Sequence, residues 1–186
     1  MTVSIVFETH SFSEDNERGV ASGWSPGRLS ARGRRNAAEL GARRGHDGIA
    51  VVFSSDLRRA AETAEIAFPA GEPPILLDWR LRECDYGDDT LAPAPAHVQG
   101  RADHIDRPYP GGESWRQAVA RVAGWLDDLT PRWDGARVLV IGHVATRWAL
   151  DHHLGGVALE TLADTDFAWR EGWEYQLPGP HGVARS

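Results

Sequence analysis

Arg137-Val138-Leu139-Val140-Ile141-Gly142-His143 is the stretch that decides the fold. An unbroken apolar run of this length, closed by glycine and followed by a helical pattern from Ala145 to Leu154, reads as a strand buried on both faces. Such strands belong to parallel sheets covered by helices. His143 stands at the strand's C-terminal end, the edge at which open α/β sheets collect their ligands.

The same strand-then-helix order recurs upstream. Val3 to Glu8 reads as a first strand, with His10 just beyond it, and Ile49-Ala50-Val51-Val52-Phe53 as a second buried run. After the first strand comes a turn-rich stretch, Ser11 to Leu29. Ser30 then occupies an N-cap position before a helix over Ala31 to Arg44, which Gly45 stops. After the second run, Ser54-Ser55-Asp56 offers capping residues for a helix reaching about Phe68. Pro73-Pro74 leads into a short strand, Ile75-Leu76-Leu77, and the Pro, Gly and Asp content from Tyr86 to Gly112 predicts a long irregular excursion. Ser114 and Gln117 have capping-box spacing ahead of a helix whose Val119, Val122, Trp125, Leu126 and Leu129 form an apolar stripe. In the tail, Phe167-Ala168-Trp169 and Trp173-Glu174-Tyr175 flank Glu171-Gly172 and predict an edge hairpin. The alternation predicts an α/β fold: a three-layer α/β/α sandwich with a mostly parallel central sheet, in one domain spanning 1–186.

A length of 186 residues, 41% hydrophobic and 25% charged, suffices to bury a core without disulfides or metals. Cys84 is the single cysteine. It has no partner for an internal disulfide, no activating base beside it, and reads as a small buried hydrophobe. No Cys/His cluster has zinc spacing, so no metal is expected. The N-terminal stretch runs straight into the first strand without a secretory pattern, and no apolar run approaches the roughly 18 to 20 residues that span a bilayer. The expectation is a cytoplasmic protein without membrane contact. A net charge of -7 would repel nucleic acid, while leaving room for a local basic pocket holding a small anion. Oligomeric state stays open at this level, a homodimer included.

The chemistry concentrates at strand ends. His10 and His143 close strands some 130 residues apart in the chain, Arg59 opens the helix after the second buried run, and Glu83 follows the Ile75-Leu77 strand. A parallel sheet brings four such groups to one edge. His152-His153, by contrast, reads as a pair at a helix C-terminus, favoured by the macrodipole. Most of the eight tryptophans are core; Trp24, Trp169 and Trp173 are placed to line a pocket.

In these segments the chain resembles the histidine phosphatase superfamily, which includes the cofactor-dependent phosphoglycerate mutases. Thr9-His10-Ser11 occupies the place of that family's Arg-His-Gly signature. Ser54-Ser55-Asp56-Leu57-Arg58-Arg59-Ala60 resembles its second-arginine block, and Leu81-Arg82-Glu83-Cys84-Asp85-Tyr86-Gly87 its acid-bearing loop. Pro110-Gly111-Gly112-Glu113-Ser114 and Val138 to Leu150 are similar to the segments that follow, in the family's order. The resemblance implies a phosphoglycerate mutase-like fold and a metal-free, cofactor-free phosphoryl transfer from a small anionic substrate. His10 would be the nucleophile, Arg59 and a protonated His143 would neutralise the transferring oxygens, and Glu83 would serve as proton donor. It also implies a substrate-contacting ring of Thr9, Ser11, Ser13, Asn16, Ser22 and Gly23. Local turn chemistry is the competing reading for Ser13, Asn16 and Ser22.

The signature itself departs from the pattern, since Thr9 replaces arginine and Ser11 replaces glycine. A bidentate guanidinium supplies two charge-assisted hydrogen bonds to phosphate and threonine supplies at most one ordinary one. The deficit of roughly 3 to 5 kcal/mol corresponds to about 10² to 10⁴ in rate. Three readings follow: a phosphatase in which another arginine such as Arg18, Arg28 or Arg82 fills the place, an enzyme redirected to acid/base chemistry on a carboxylate or carbonyl substrate, or a small-anion-binding protein.

Overall fold

A computed structural model describes residues 1–179. Five strands form one sheet: β1 (Thr2–Thr9), β2 (Val51–Ser54), β3 (Ile75–Leu77), β4 (Arg137–Gly142) and β5 (Trp173–Pro178). Their spatial order is β3-β2-β4-β1-β5. All neighbours run parallel except β5, which lies antiparallel along β1. The opening stretch is thus the central strand β4, flanked by β1 and β2, and Val138 to Ile141 are fully buried.

Period-two alternation builds two cores from the same strands. Ile5, Phe7, Val51, Phe53, Val138 and Val140 face α5 (Trp115–Trp133) and α6 (Val144–His153). Val6, Val52, Leu139 and Ile141 face the other way and pack with Leu40 of α2 (Ala31–Arg44) and with Ala60 and Ala64 of α3 (Arg58–Ala67). Helices therefore cover both faces, giving the α/β architecture expected, with its mostly parallel sheet.

Several expectations are corrected locally. The stretch from Ser11 to Leu29 contains a short helix, α1 (Glu14–Arg18), and the excursion from Tyr86 to Gly112 contains α4 (Ala94–Gly100) and two 3₁₀ turns. Ser54-Ser55-Asp56 does not cap α3, whose N-cap is Leu57 without a side-chain bond. Ser55 Oγ instead accepts from Leu57 N at 3.2 Å, closing the elbow one residue early, and Asp56 pairs with Arg82. Among the described residues the tail forms no hairpin: β5 alone is extended there, and the segment before it, after α7 (Leu159–Ala163), is irregular. Trp173 finds its partner in Phe7 of β1 rather than in a neighbouring tail strand. Among the described residues, no helix is long and apolar enough to cross a membrane.

Candidate active site

The parallel strands end together, and the chain turns there deliver the four groups. His10 is the first residue past β1, and its backbone N–H donates to the Gly142 carbonyl of β4 at 2.9 Å. That bond ties the two strand ends and sets the His10 and His143 rings 4.9 Å apart, tilted by 52°. Arg59 projects from the first turn of α3, and His143 is the N-cap residue of α6.

Hydrogen bonding assigns the histidine tautomers, because a carbonyl only accepts and an arginine only donates. His10 Nδ1 lies 2.7 Å from the Ser11 carbonyl oxygen and therefore carries the hydrogen, while Nε2 accepts from Arg59 Nε at 3.2 Å. The lone pair of Nε2 is thus directed at Arg59. His143 Nδ1 lies 3.3 Å from an Arg59 terminal nitrogen and is the acceptor, so its hydrogen sits on Nε2. That Nε2 is buried and has no hydrogen-bond partner among the described residues. Arg59 is itself oriented by the carbonyls of Gly23 at 2.8 Å and Ser25 at 3.2 Å. Thr63, one turn later on α3, accepts from Ser11 N at 3.0 Å and donates to the Arg59 carbonyl at 2.7 Å.

Glu83 is buried against the first turn of α6. Its Oε1 accepts from Cys84 N at 2.9 Å and Ala145 N at 3.0 Å, and its Oε2 from Val144 N at 3.2 Å. Its backbone carbonyl takes the Trp24 indole and an Arg121 terminal nitrogen, each at 2.7 Å. Arg121 also donates to the carbonyls of Arg80 and Arg82, and Glu113 holds it through both carboxylate oxygens at 2.9 Å. The acid loop is therefore pinned from α5 at three carbonyls.

Burial sets the proton states. Burial first, and the Arg59 charge second, push His10 down to about 3. The same two causes, joined by His10, hold His143 well below the usual histidine range. Burial also lowers Arg59, but a guanidinium stays charged at neutral pH. Glu83 moves upward because desolvation outweighs its three amide bonds and the Arg59 charge. At neutral pH the site thus holds two uncharged imidazoles, one guanidinium and a carboxyl group biased toward its acid form. Burial and the Arg59 nitrogen at its Nδ1 both disfavour the protonated form of His143 that the resemblance implies.

The expected ring of polar groups divides. Ser13 and Asn16 are spent on each other in a reciprocal capping box of α1, with bonds of 3.1 and 3.0 Å, and Asn16 is exposed. Gly23 adopts φ +47 and turns its carbonyl to Arg59. A Cβ there would come within 3.0 Å of the Tyr86 ring. Ser22 is buried beside it, and Ser11 serves His10 with its carbonyl. Thr9 ends β1, in register with Gly142. None of the three candidate arginines stands in for the missing one. Arg18 pairs with Asp15, Arg28 with Glu14, and Arg82 grips Asp56 at 2.7 and 2.6 Å. Sequence reasoning missed the positioning groups Ser25 and Arg121, which act through backbone carbonyls and so leave no motif. Cys84 is buried with its thiol pushed far up. His152 and His153 bond carbonyls of Val157 and Val119 at the end of α6.

Comparison with known proteins gives the family. The model of the histidine phosphatase superfamily (branch 1) matches residues 5–169, and the chain belongs to that family. It is 34% identical over 173 residues to a 2,3-bisphosphoglycerate-dependent phosphoglycerate mutase of Methylobacterium sp. (strain 4-46), covering 85% of this chain and 83% of that one. Among solved structures, a mycobacterial glucosyl-3-phosphoglycerate phosphatase shares 25% identity over 88% of this chain and 84% of its own, with a TM-score of 0.75. Bacillus stearothermophilus YhfR shares 25% identity over 91% and 88%, with a TM-score of 0.77.

Proposed function

We propose that this protein is a phosphatase that hydrolyses phosphomonoesters of small metabolites through a phosphohistidine at His10. The observation that carries the reading is the Nε2 lone pair of a neutral His10, held by the Nδ1 bond to Ser11 and bordered by Arg59 and His143. An imidazole so oriented attacks phosphorus in line. As the N–P bond forms, the bond from phosphorus to the ester oxygen breaks, and the leaving alkoxide takes the proton of Glu83. The resulting carboxylate then deprotonates a water whose oxygen attacks phosphorus. The N–P bond breaks, its electron pair returns to Nε2, Glu83 regains a proton and inorganic phosphate departs. The Nε2–H of His143 and the Arg59 guanidinium, which leaves its contact with His10 Nε2, hold the equatorial oxygens. A dianion between them offsets the repulsion that keeps His143 neutral. The names of the relatives, a mutase and a phosphatase of phosphorylated small molecules, support the substrate class.

The test is phosphate release from a panel of aryl, sugar and glycerate phosphomonoesters by wild-type protein and by His10→Ala. The expected result is hydrolysis by the wild type and only the buffer rate from the variant. Equal rates across the panel refute the reading, and His10-dependent turnover of unphosphorylated carboxylates or carbonyls replaces it with acid/base chemistry.

A further inference from the structure

The His10 ring is fixed by the residue that follows it, so its aim is only as definite as the placing of Ser11. His10 Nδ1 donates to the Ser11 carbonyl at 2.7 Å, a contact between adjacent residues that moves with Ser11 if Ser11 turns. Either side of this pair is anchored. The His10 N–H donates to the Gly142 carbonyl at 2.9 Å, and the Phe12 carbonyl accepts from Ser30 N, at the start of α2, at 3.0 Å. Ser11 itself has one hydrogen bond beyond His10 among the described residues, from its N–H to Thr63 Oγ1 at 3.0 Å. Ser11 is buried and Thr63 fully so, which keeps water from replacing that acceptor.

Thr63 is held ready for the bond by its own helix. Its hydroxyl hydrogen goes to the Arg59 carbonyl, one turn earlier on α3, at 2.7 Å. Helical threonines make such back-bonds, and a hydroxyl so committed keeps its remaining lone pair for an outside donor. One oxygen therefore touches the backbone of Arg59 and the backbone of the residue next to His10. It spans the two residues whose side chains meet at 3.2 Å, Arg59 Nε against His10 Nε2. Resting on the phosphohistidine reading, we propose that Thr63 is a positioning residue for the nucleophile: its hydroxyl sets Ser11, and through the Ser11 carbonyl it aligns the His10 ring with Arg59 for in-line attack. Its effect belongs to the half-reaction in which a free ring must find phosphorus. Once Nε2 is bonded to phosphorus, the covalent bond orients the ring and the hydroxyl has little left to do.

Stopped-flow single turnovers of p-nitrophenyl phosphate, with protein in excess, separate the two half-reactions: p-nitrophenolate appears as His10 is phosphorylated, and inorganic phosphate as the adduct breaks down. Wild type, Thr63→Val and Thr63→Ser are compared, with a melting temperature for each. Thr63→Val fills nearly the same space but leaves the Ser11 N–H without an acceptor, and is expected to slow p-nitrophenolate release on the order of 10-fold, the worth of one hydrogen bond. Phosphate release from the adduct is expected to keep its rate. Thr63→Ser, which keeps the hydroxyl and drops a buried methyl, is expected to restore the first step while melting below wild type, so that the rate follows the hydroxyl and not the stability. If Thr63→Val does not fold, Thr63→Ala takes its place in the comparison. p-Nitrophenolate release at the wild-type rate without the hydroxyl, with His10→Ala inactive, overturns the inference and leaves the phosphatase reading standing. Two half-reactions slowed alike, or Thr63→Ser slowed as much as Thr63→Val, assigns Thr63 a structural role and also overturns it. A Ser11 amide that exchanges hydrogen freely in the wild type overturns it without any variant. Activity that survives His10→Ala ends the phosphohistidine reading and this inference with it.

Discussion

At the scale of single residues, the site works by burying neutral imidazoles beside a permanent cation. That arrangement has a measurable thermodynamic signature. An unfolded histidine takes a proton near 6.5, whereas folded His10 resists until about 3 and His143 is likewise held well below the usual range. Between those limits the unfolded chain binds more protons, so stability falls as pH is lowered through about 6 toward 3. Each histidine contributes at most about 1.4 kcal/mol per pH unit. Glu83 acts in the opposite sense: its folded value is raised, so its own contribution declines as pH rises above the usual carboxylate range. Urea unfolding of wild type, His10→Gln and His143→Gln across this range is expected to give shallower acid limbs in both variants. Superimposable slopes would mean that the imidazoles are not held neutral.

At the scale of elements, helices and loops are locked to one another through backbone carbonyls. Arg121 is the clearest instance, because one α5 guanidinium, held by Glu113, grips three carbonyls of the loop that presents Glu83. Replacing it with methionine keeps the aliphatic stem but removes a donor from each of those carbonyls and the ion-pair partner of Glu113. Chemical denaturation is expected to register a loss of about 3 kcal/mol, typical of breaking a buried pair. If Arg121 positions the acid, kcat falls more for an alkyl phosphate, whose leaving group needs a proton, than for p-nitrophenyl phosphate, while KM stays nearly constant. Equal losses on both substrates would reduce Arg121 to a stabiliser. The capping box of Ser114 and Gln117, with Ser114 Oγ accepting from Gln117 N at 3.2 Å, starts the same helix and was legible from residue spacing. Arg121 was not, because a side chain that binds carbonyls makes no demand on the sequence at the receiving end.

Across the whole molecule, legibility follows burial. Central strands β4 and β2 announce themselves because both of their faces are covered, so Val138 to Ile141 and Val51 to Phe53 are unbroken apolar runs. The antiparallel β5 is half-exposed, and its aromatic neighbours Phe167 and Trp169 resemble a second strand although they lie in irregular chain. The convergence of His10, Arg59 and His143 was readable from strand ends alone, since a parallel sheet places all C-terminal ends on one edge. What remained hidden was the direction of each polar atom. Gly23 turns its carbonyl to Arg59, Asn16 turns back onto Ser13, and Arg121 reaches three carbonyls of the acid loop. Those outcomes depend on local dihedral angles and on partners distant in the chain.

The most direct test of the whole account is rapid quenching into alkali, where phosphohistidine survives, followed by peptide mapping by mass spectrometry. Wild-type protein mixed with p-nitrophenyl phosphate should carry one phosphoryl group on His10. The adduct should accumulate further in Glu83→Gln, which lacks the base for its hydrolysis, and should be absent from His10→Ala. Steady turnover with no adduct on His10 at any quench time, or an adduct mapped to another residue, would contradict the account.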